Sequence, residues 1–289
     1  MQIGSAFNII RKNKGLSQRE VAANIISTSF YSKLETENSN ISADLFFQLL
    51  DNLDITPEEF EYIYNDYAHT PKRKIDDLCK QIYYAGEIDK LHEKKIEIEE
   101  IYKSTDDDFY DRLSILLYCL IQTYNSEKYD PEIIKPIHSY LFTVETWGLY
   151  EIRLFTTCIK AFEIDTVLLL SNQLLNNLKA YSTFYFHERD IITVLINIII
   201  TCLDNNRLEE ADYYIAVAKN RLKSEELMFE RNLINYLFGI SLIHHHREDE
   251  GYQIAMASID IFKSLNMNGI ATQYEDYLEE TIQIFTIKS

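Results

Sequence analysis

Glycine and proline are scarce: 7 and 4 residues in a chain of 289. An all-β fold needs far more turn punctuation, so the shortage excludes sandwiches and barrels and leaves an all-α chain. Long apolar runs are missing too. Val194–Ile200, among the longest, has Asn197 inside it and falls far below the ~20 residues of a membrane span. The four cysteines, Cys79, Cys119, Cys158 and Cys202, lie far apart with no CxxC pair. That spacing excludes a zinc frame or a disulfide scaffold and reads as reduced thiols. Met1–Arg11 lacks the basic-then-apolar order of a signal peptide. A cytoplasmic, membrane-free protein is expected.

Catalytic patterns are also missing. The chain has no P-loop, no Rossmann glycine pattern and no HExxH, so no enzyme, cofactor or metal is expected. His244, His245 and His246 are consecutive. On a helix they fan over roughly 200° and cannot grip one ion as an i, i+4 pair does. Carboxylates are plentiful and are expected as solvated helix surface. The 21 Tyr and 15 Phe are expected as core packing.

Hydrophobic residues make up 46% of the chain, enough for sizeable cores and too many for disorder. At roughly 100–200 residues per domain, the length fits one large or two ordinary domains. The net charge is −18, with 28 Lys+Arg against 46 Asp+Glu. It is unevenly spread. Residues 1–33 hold Arg11, Lys12, Lys14, Arg19 and Lys33 against Glu20, a net of +4, which leaves −22 on residues 34–289. A small basic head on an acidic body suits a chain whose head alone meets a polyanion.

The head reads as five short helices. Ile3, Phe7 and Ile10 recur at helical spacing, and Gly15 stops that helix near Asn13. Ser17-Gln-Arg-Glu20 is a capping box, opening a second helix with Val21, Ala22 and Ile25 inward. Ser27 caps a third, Thr28 to about Glu37, with Tyr31 and Leu34 inward. Ser42 caps a fourth, striped by Leu45, Phe46, Leu49, Leu50 and Leu53. Thr56-Pro-Glu-Glu59 opens a fifth, with Thr at N-cap and Pro at N1.

Leu16–Ser42 resembles the XRE-type helix-turn-helix, with its LSQxE(V/L)A opening and S-K-L-E close intact. The resemblance implies promoter DNA as partner, with Gln18 and Arg19 at the phosphate backbone and Thr28, Ser29, Ser32 and Lys33 facing the major groove. The residues agree, being polar and opposite Tyr31 and Leu34. Two features depart from the pattern. The turn lacks its usual Gly, and Thr36-Glu37 replaces the common Arg-Gly. Phe30 has two readings, a thymine-methyl contact or packing within its own domain.

From Ile75 onward helical periodicity persists, with polar breaks every ~20 residues, as in a tetratricopeptide-like α-solenoid. The breaks include Ser104–Asp108, Trp147-Gly148, Glu163–Asp165, Ala180–Tyr185, Lys223–Glu225 and Asn266–Gly269. Leu208–Leu222 and Gly251–Leu265 look like second helices of such repeats. The expected division is a head at 1–67, a linker at 68–74 and a repeat body at 75–289. The last helix carries Tyr274, Tyr277, Leu278, Ile282 and Phe285 as an apolar stripe. An unpaired stripe at a solenoid end predicts a homodimer.

Tyr140–Leu178, which opens YLFTVETWGLYEI, resembles the central segment of the Rgg/GadR/MutR-type regulators, grouped with the PrgX-type pheromone receptors. The resemblance covers essentially the whole chain. It implies a cytosolic homodimer whose repeat domain binds a short signalling peptide and alters promoter binding. It implies peptide contacts at Thr157, Lys160, Asn197 and Tyr236, with Thr157 and Lys160 on a helix of the concave face. Lys160 replaces an Arg of the family, keeping the charge but losing the bidentate fork. Cys158, beside them, reads as inert packing. Asn197 also stands out alone: an amide among Val and Ile needs a partner. An interhelical bond or a peptide backbone would each supply one. The composition equally admits a peptide-independent regulator whose body only dimerises, or a repeat scaffold with a vestigial head.

Overall fold

The computed structural model describes residues 1–37, 39–180 and 188–288, with side chains except at 84, 177–180 and 284–288. Among the described residues the regular elements are sixteen α-helices and one 3-10 turn. The expected all-α class is the observed one. The chain forms two compact units, Met1–Leu91 and His92–Ser289.

The first unit opens with α1 (Ile3–Asn13), α2 (Gln18–Ala22), α3 (Thr28–Glu37), α4 (Ala43–Asn52) and α5 (Pro57–Tyr64). Short polar side chains start them. The Ser17 and Thr56 hydroxyls accept from the amides of Glu20 and Glu59, whose carboxylates reach back to the cap amides. Ser27 and Ser42 accept from Phe30 and Leu45 amides at 3.1 and 3.3 Å. These caps satisfy helix-end donors that lack an intrahelical partner. The core is Phe7, Val21, Tyr31, Leu34, Leu49 and Phe60. Phe7, Phe46 and Phe60 meet ring to ring, centroids 4.8–5.8 Å apart.

Two details were not expected. Ile3 lies 44% exposed, and Gly4 takes the inner position. A Cβ on Gly4 would sit 1.8 Å from the Leu34 carbonyl oxygen, so α1 and α3 cross with backbones nearly touching. In the α2–α3 turn Asn24 takes φ 65°. It fills the left-handed position where the motif usually has Gly, and Asn tolerates that region better than most residues.

Glu35, the last letter of S-K-L-E, is a buried cross-link. It accepts from Arg11 Nε at 2.6 Å and Nη2 at 2.8 Å, from Asn8 Nδ2 at 2.8 Å and from Gln18 Nε2 at 2.8 Å. One carboxylate thus ties α1, α2 and α3 together. Burial alone pushes its carboxyl up, but the bonds from Arg11, Gln18 and Asn8 outweigh that and hold it below the ordinary value.

In the second part of the chain follow α6 (Pro71–Tyr84), α7 (Ile88–Thr105), α8 (Asp108–Asn125), α9 (Pro131–Thr143) and α10 (Leu149–Cys158). A 3-10 turn, Ile159–Ala161, leads to α11 (Ile164–Ala180), α12 (Glu188–Asp204) and α13 (Leu208–Arg221). The chain ends with α14 (Met228–His244), α15 (Glu248–Ser264) and α16 (Asn268–Lys288). Residues 69–74 read from sequence as linker or as entry to the next helix, and 71–74 are the first turn of α6. The α6–α7 break at Gly86, φ 70°, was not expected. The expected break at Ala180–Tyr185 falls on 181–185, outside the described residues.

Each helix from α12 to α16 packs on the next, and α12 on α14 and α14 on α16 as well. This is the alternation of a two-layer helical repeat. The α14–α15 crossing is the tightest. A Cβ on Gly251 would meet the Gly239 carbonyl oxygen at 2.5 Å.

The YLFTVETWGLYEI segment is structural. Tyr140 Oη donates to Glu151 Oε1 at 2.6 Å and the Gly148 amide to Glu151 Oε2 at 2.8 Å. Arg112 Nε donates to Tyr150 Oη at 2.8 Å, and its guanidinium lies 4.3 Å from the Tyr140 ring centre. Trp147 is buried, its indole N–H on the Leu141 carbonyl at 3.3 Å. These residues bind α8, α9 and α10 into one piece.

Glu35→Gln tests the cross-link. Losing a buried ion pair's charge costs about 3 kcal/mol, near a hundredfold in the opening equilibrium. The slowest-exchanging amides of α1 and α3 in the full chain should exchange faster by that factor. The folded carboxyl titrates below the unfolded one. Its stabilisation is therefore full above pH 4.5, the ordinary value, and is lost as pH falls through the folded value. Glu35→Gln should abolish this acid dependence.

Candidate functional site

Two surfaces gather the expected site residues. On the head, Arg19, Thr28, Ser29 and Lys33 are exposed and Ser32 is half-buried. Thr28, Ser29, Ser32 and Lys33 share α3, away from buried Tyr31 and Leu34. Gln18 has a structural bond that the sequence did not announce. It is half-buried and its amide N–H is committed to Glu35, so its first function is to hold α2 on α3. Arg11, counted among the head's cations, is likewise committed to Glu35. Lys14 Nζ donates to the Asp54 carbonyl at 2.9 Å.

In the second unit the 3-10 turn, α12, α14 and α16 surround a cleft of about 740 Å³. Its lining brings together Lys160 and Asn197, two of the four expected peptide contacts. Lys160 stands on the 3-10 turn, since α10 ends at Cys158. It is not on a helix, as had been expected. The side chain is exposed and without an ion pair among the described residues. Asn197 projects from the apolar α12. Its backbone carbonyl accepts from Thr201 Oγ1, and its side-chain amide makes no hydrogen bond among the described residues. Ile196, Leu233 and Leu237 supply apolar wall. A second cleft, of about 630 Å³, shares Lys160, Thr201 and Asp204 with the first. Lys160 therefore stands between two hollows.

The other two expected contacts lie elsewhere. Thr157 is half-buried on α10 and lines neither cleft. Tyr236 is fully buried, and its hydroxyl donates to the Tyr274 carbonyl of α16 at 2.8 Å. Burial pushes its phenol well above the ordinary value. It holds α16 in place and lines neither cleft. Tyr274 stacks on Phe262 and Leu278 is buried. The last helix thus spends these residues of its stripe on its own chain, where a free dimer face had been expected. The side chain of Phe285 lies outside the described residues.

Cys158 Sγ lies 3.4 Å from Cys119 Sγ, both fully buried. The sulfur–sulfur contact and burial raise the Cys158 thiol well above its ordinary value, which makes it unreactive packing. His245 Nε2 pairs with Asp212 Oδ2 at 2.8 Å. Among the described residues no helix is long and apolar enough to cross a membrane.

The cleft's acids were missed. Asp204, Glu230, Asp276 and Glu280 line it, although carboxylates had been expected as solvated surface. Glu230 is 4% exposed. Asp204 Oδ1 accepts from Tyr277 Oη at 2.7 Å. Nothing in local sequence distinguishes these residues from the other acids of the chain.

Residues 94–276 match the model of the C-terminal domain of HTH-type transcriptional regulator Rgg, and residues 9–60 match a helix-turn-helix model. The chain belongs to the Rgg family of helix-turn-helix transcriptional regulators. Solved structures share the fold. A candidate transcriptional regulator from Listeria monocytogenes EGD-e is 23% identical, with 98% of each chain covered and a TM-score of 0.82. The SHP pheromone receptor Rgg2 from Streptococcus dysgalactiae is 22% identical, covering 96% of this chain and 99% of that one, TM-score 0.80. PrgX in its complex with cCF10 is 21% identical over 97% of this chain and 92% of that one, TM-score 0.69.

Tyr236→Phe separates anchor from ligand contact. Removing one hydroxyl bond costs about 1 kcal/mol, so α16 amides should exchange several-fold faster. Because α16 also lines the cleft, the affinity for a molecule held there should fall by no more than this loosening accounts for, about fivefold.

Proposed function

We propose that this chain is a sequence-specific DNA-binding regulator, working as a cytoplasmic homodimer, whose helical body binds a short apolar signalling peptide. Peptide binding alters how the two heads engage promoter DNA. One observation carries the reading: the cleft of about 740 Å³ that presents Lys160 and Asn197 among aliphatic side chains. That volume lies within the roughly 300–1,000 Å³ of ligand pockets. An unpaired amide serves a peptide backbone, and an ammonium without an ion pair serves a carboxylate. Rgg2 and PrgX, which share the fold, are a pheromone receptor and a partner of cCF10. On the head, the exposed polar face of α3 supports groove contact by Thr28, Ser29, Ser32 and Lys33, with Arg19 at phosphate.

DNA binding is tested with the full chain and the promoter beside its own gene, by anisotropy at several salt concentrations. If Lys33 meets a phosphate, Lys33→Ala should weaken binding and flatten the salt slope by about 0.9. If it meets guanine, sequence preference should relax instead. Unchanged affinity, slope and preference would refute the groove assignment. Peptide binding is tested by affinity selection from a synthetic random heptapeptide pool with free ends. The wild-type chain should retain apolar peptides that a serum-albumin control does not. Lys160→Ala with Asn197→Ala should lose them, and amidation of the pool's carboxyl ends should weaken retention. No retention by the wild-type chain would refute the receptor reading.

A further inference from the structure

The cleft's charged lining is unbalanced. Lys160 faces the company of Asp204, Glu230, Asp276 and Glu280. Acidic residues at a surface mean little alone, but one of these is not at the surface. The Glu230 side chain is only 6% exposed. Its Oε1 forms an ion pair with Arg189 Nε at 2.9 Å. Its Oε2 is buried and has no hydrogen-bond partner among the described residues.

Two other buried glutamates set the standard. Glu35 has donors on both oxygens, and so does Glu151. Among the described residues Glu230 has one ion pair, on one oxygen. A carboxylate oxygen withdrawn from water without a donor is costly, and native structures rarely leave one so without a reason. Arg189 does not line the cleft, and its own side chain is 61% exposed. It pairs with one oxygen, and among the described residues no donor reaches the other. The missing partner is a donor. The surrounding acids select a charged one, because complementary potential favours a cation and penalises an anion. An ammonium offers three N–H donors and a guanidinium a planar fork, and either suits a carboxylate.

We propose that Glu230 is the cation-recognition residue of this cleft, and that the bound peptide places a positively charged group against it. The proposal rests on the peptide-receptor reading and specifies the ligand. The ligand is apolar in most positions, carries its carboxylate to Lys160, and carries a cation to Glu230. That cation is its amino terminus or a lysine or arginine side chain. The placement of Glu230 in the first turn of α14 keeps the anchor on a rigid element.

The experiment is affinity selection on the full chain with four matched heptapeptide pools. One has free amino ends, one is acetylated, one lacks Lys and Arg, and one is acetylated and lacks both. Wild-type protein should enrich cationic peptides about tenfold over the acetylated pool without Lys or Arg. Loss on acetylation assigns the amino terminus, and loss in the pool without Lys and Arg assigns a side chain. Glu230→Gln keeps the shape and should remove the cation preference. Arg189→Gln breaks the same ion pair but frees the carboxylate, so it should keep or raise the preference. Equal loss in both variants would mean a structural pair only and would overturn the proposal. So would equal enrichment of all four pools. If Glu230→Gln fails to fold, judged by circular dichroism, Arg189→Gln decides alone: loss of preference overturns, retention or gain supports. If wild-type protein retains no peptide from any pool, the receptor reading fails and this assignment falls with it. Retention without charge preference fails this assignment only.

Discussion

A carboxylate taken out of water must be given donors, and this constraint organises both units of the chain. At Glu35 four donor contacts from α1 and α2 converge on one carboxylate of α3. At Glu151 a tyrosine hydroxyl and a backbone amide do the same for the α9–α10 joint. Each network costs desolvation, offset here by donors on both oxygens. The consequence for the head is direct. Arg11 and Gln18 are consumed in holding α3, so the residues left to face DNA are those that Glu35 does not need.

The same constraint separates architecture from site. The long YLFTVETWGLYEI run draws attention through its unusual composition, yet Tyr140, Trp147, Tyr150 and Glu151 are bound to one another and to Arg112. They leave nothing for a ligand. The cleft lies instead where polar groups are incompletely served. Among the described residues the Asn197 amide has no hydrogen bond, Lys160 has no ion pair, and Glu230 has one oxygen without a donor. The strongest motif here is spent on packing, and the incompletely served polar groups line the cleft.

Much of the fold was legible because its signals are local. Ser17, Ser27, Ser42 and Thr56 mark helix starts through hydroxyl–amide bonds that span three residues, and the apolar stripes of α13 and α15 follow from helical period. The exceptions are long-range. Gly4 is buried because the α3 backbone passes against it, which no window around residue 4 contains. Asn24 accepts a left-handed φ where the motif offered only a missing Gly as a warning. The 3-10 turn at Ile159–Ala161 moves Lys160 off the helix, and no Pro or Gly announces it. Asn197 was legible because an amide inside Val194–Ile200 is anomalous at short range. Glu230 was not, because an acid near a helix start is ordinary until the burial of its oxygen is known.

Charge accounting in the head bears on assembly. Of the five cations in residues 1–33, Arg11 is committed to Glu35 and Lys14 to the Asp54 carbonyl. Lys12, Arg19 and Lys33 remain exposed. Each phosphate contact contributes about −0.9 to the salt slope, so one head with three cations has little electrostatic hold on a duplex. Two linked heads double the contacts, and the second binds at the high effective concentration set by the first. The weakness of a single head is therefore an argument for dimeric binding that does not depend on the last helix, whose described apolar residues are used within its own chain. On the proposed reading it also gives a peptide something to act on. A ligand that changes the geometry between two weak heads changes affinity far more than one that changes either head alone.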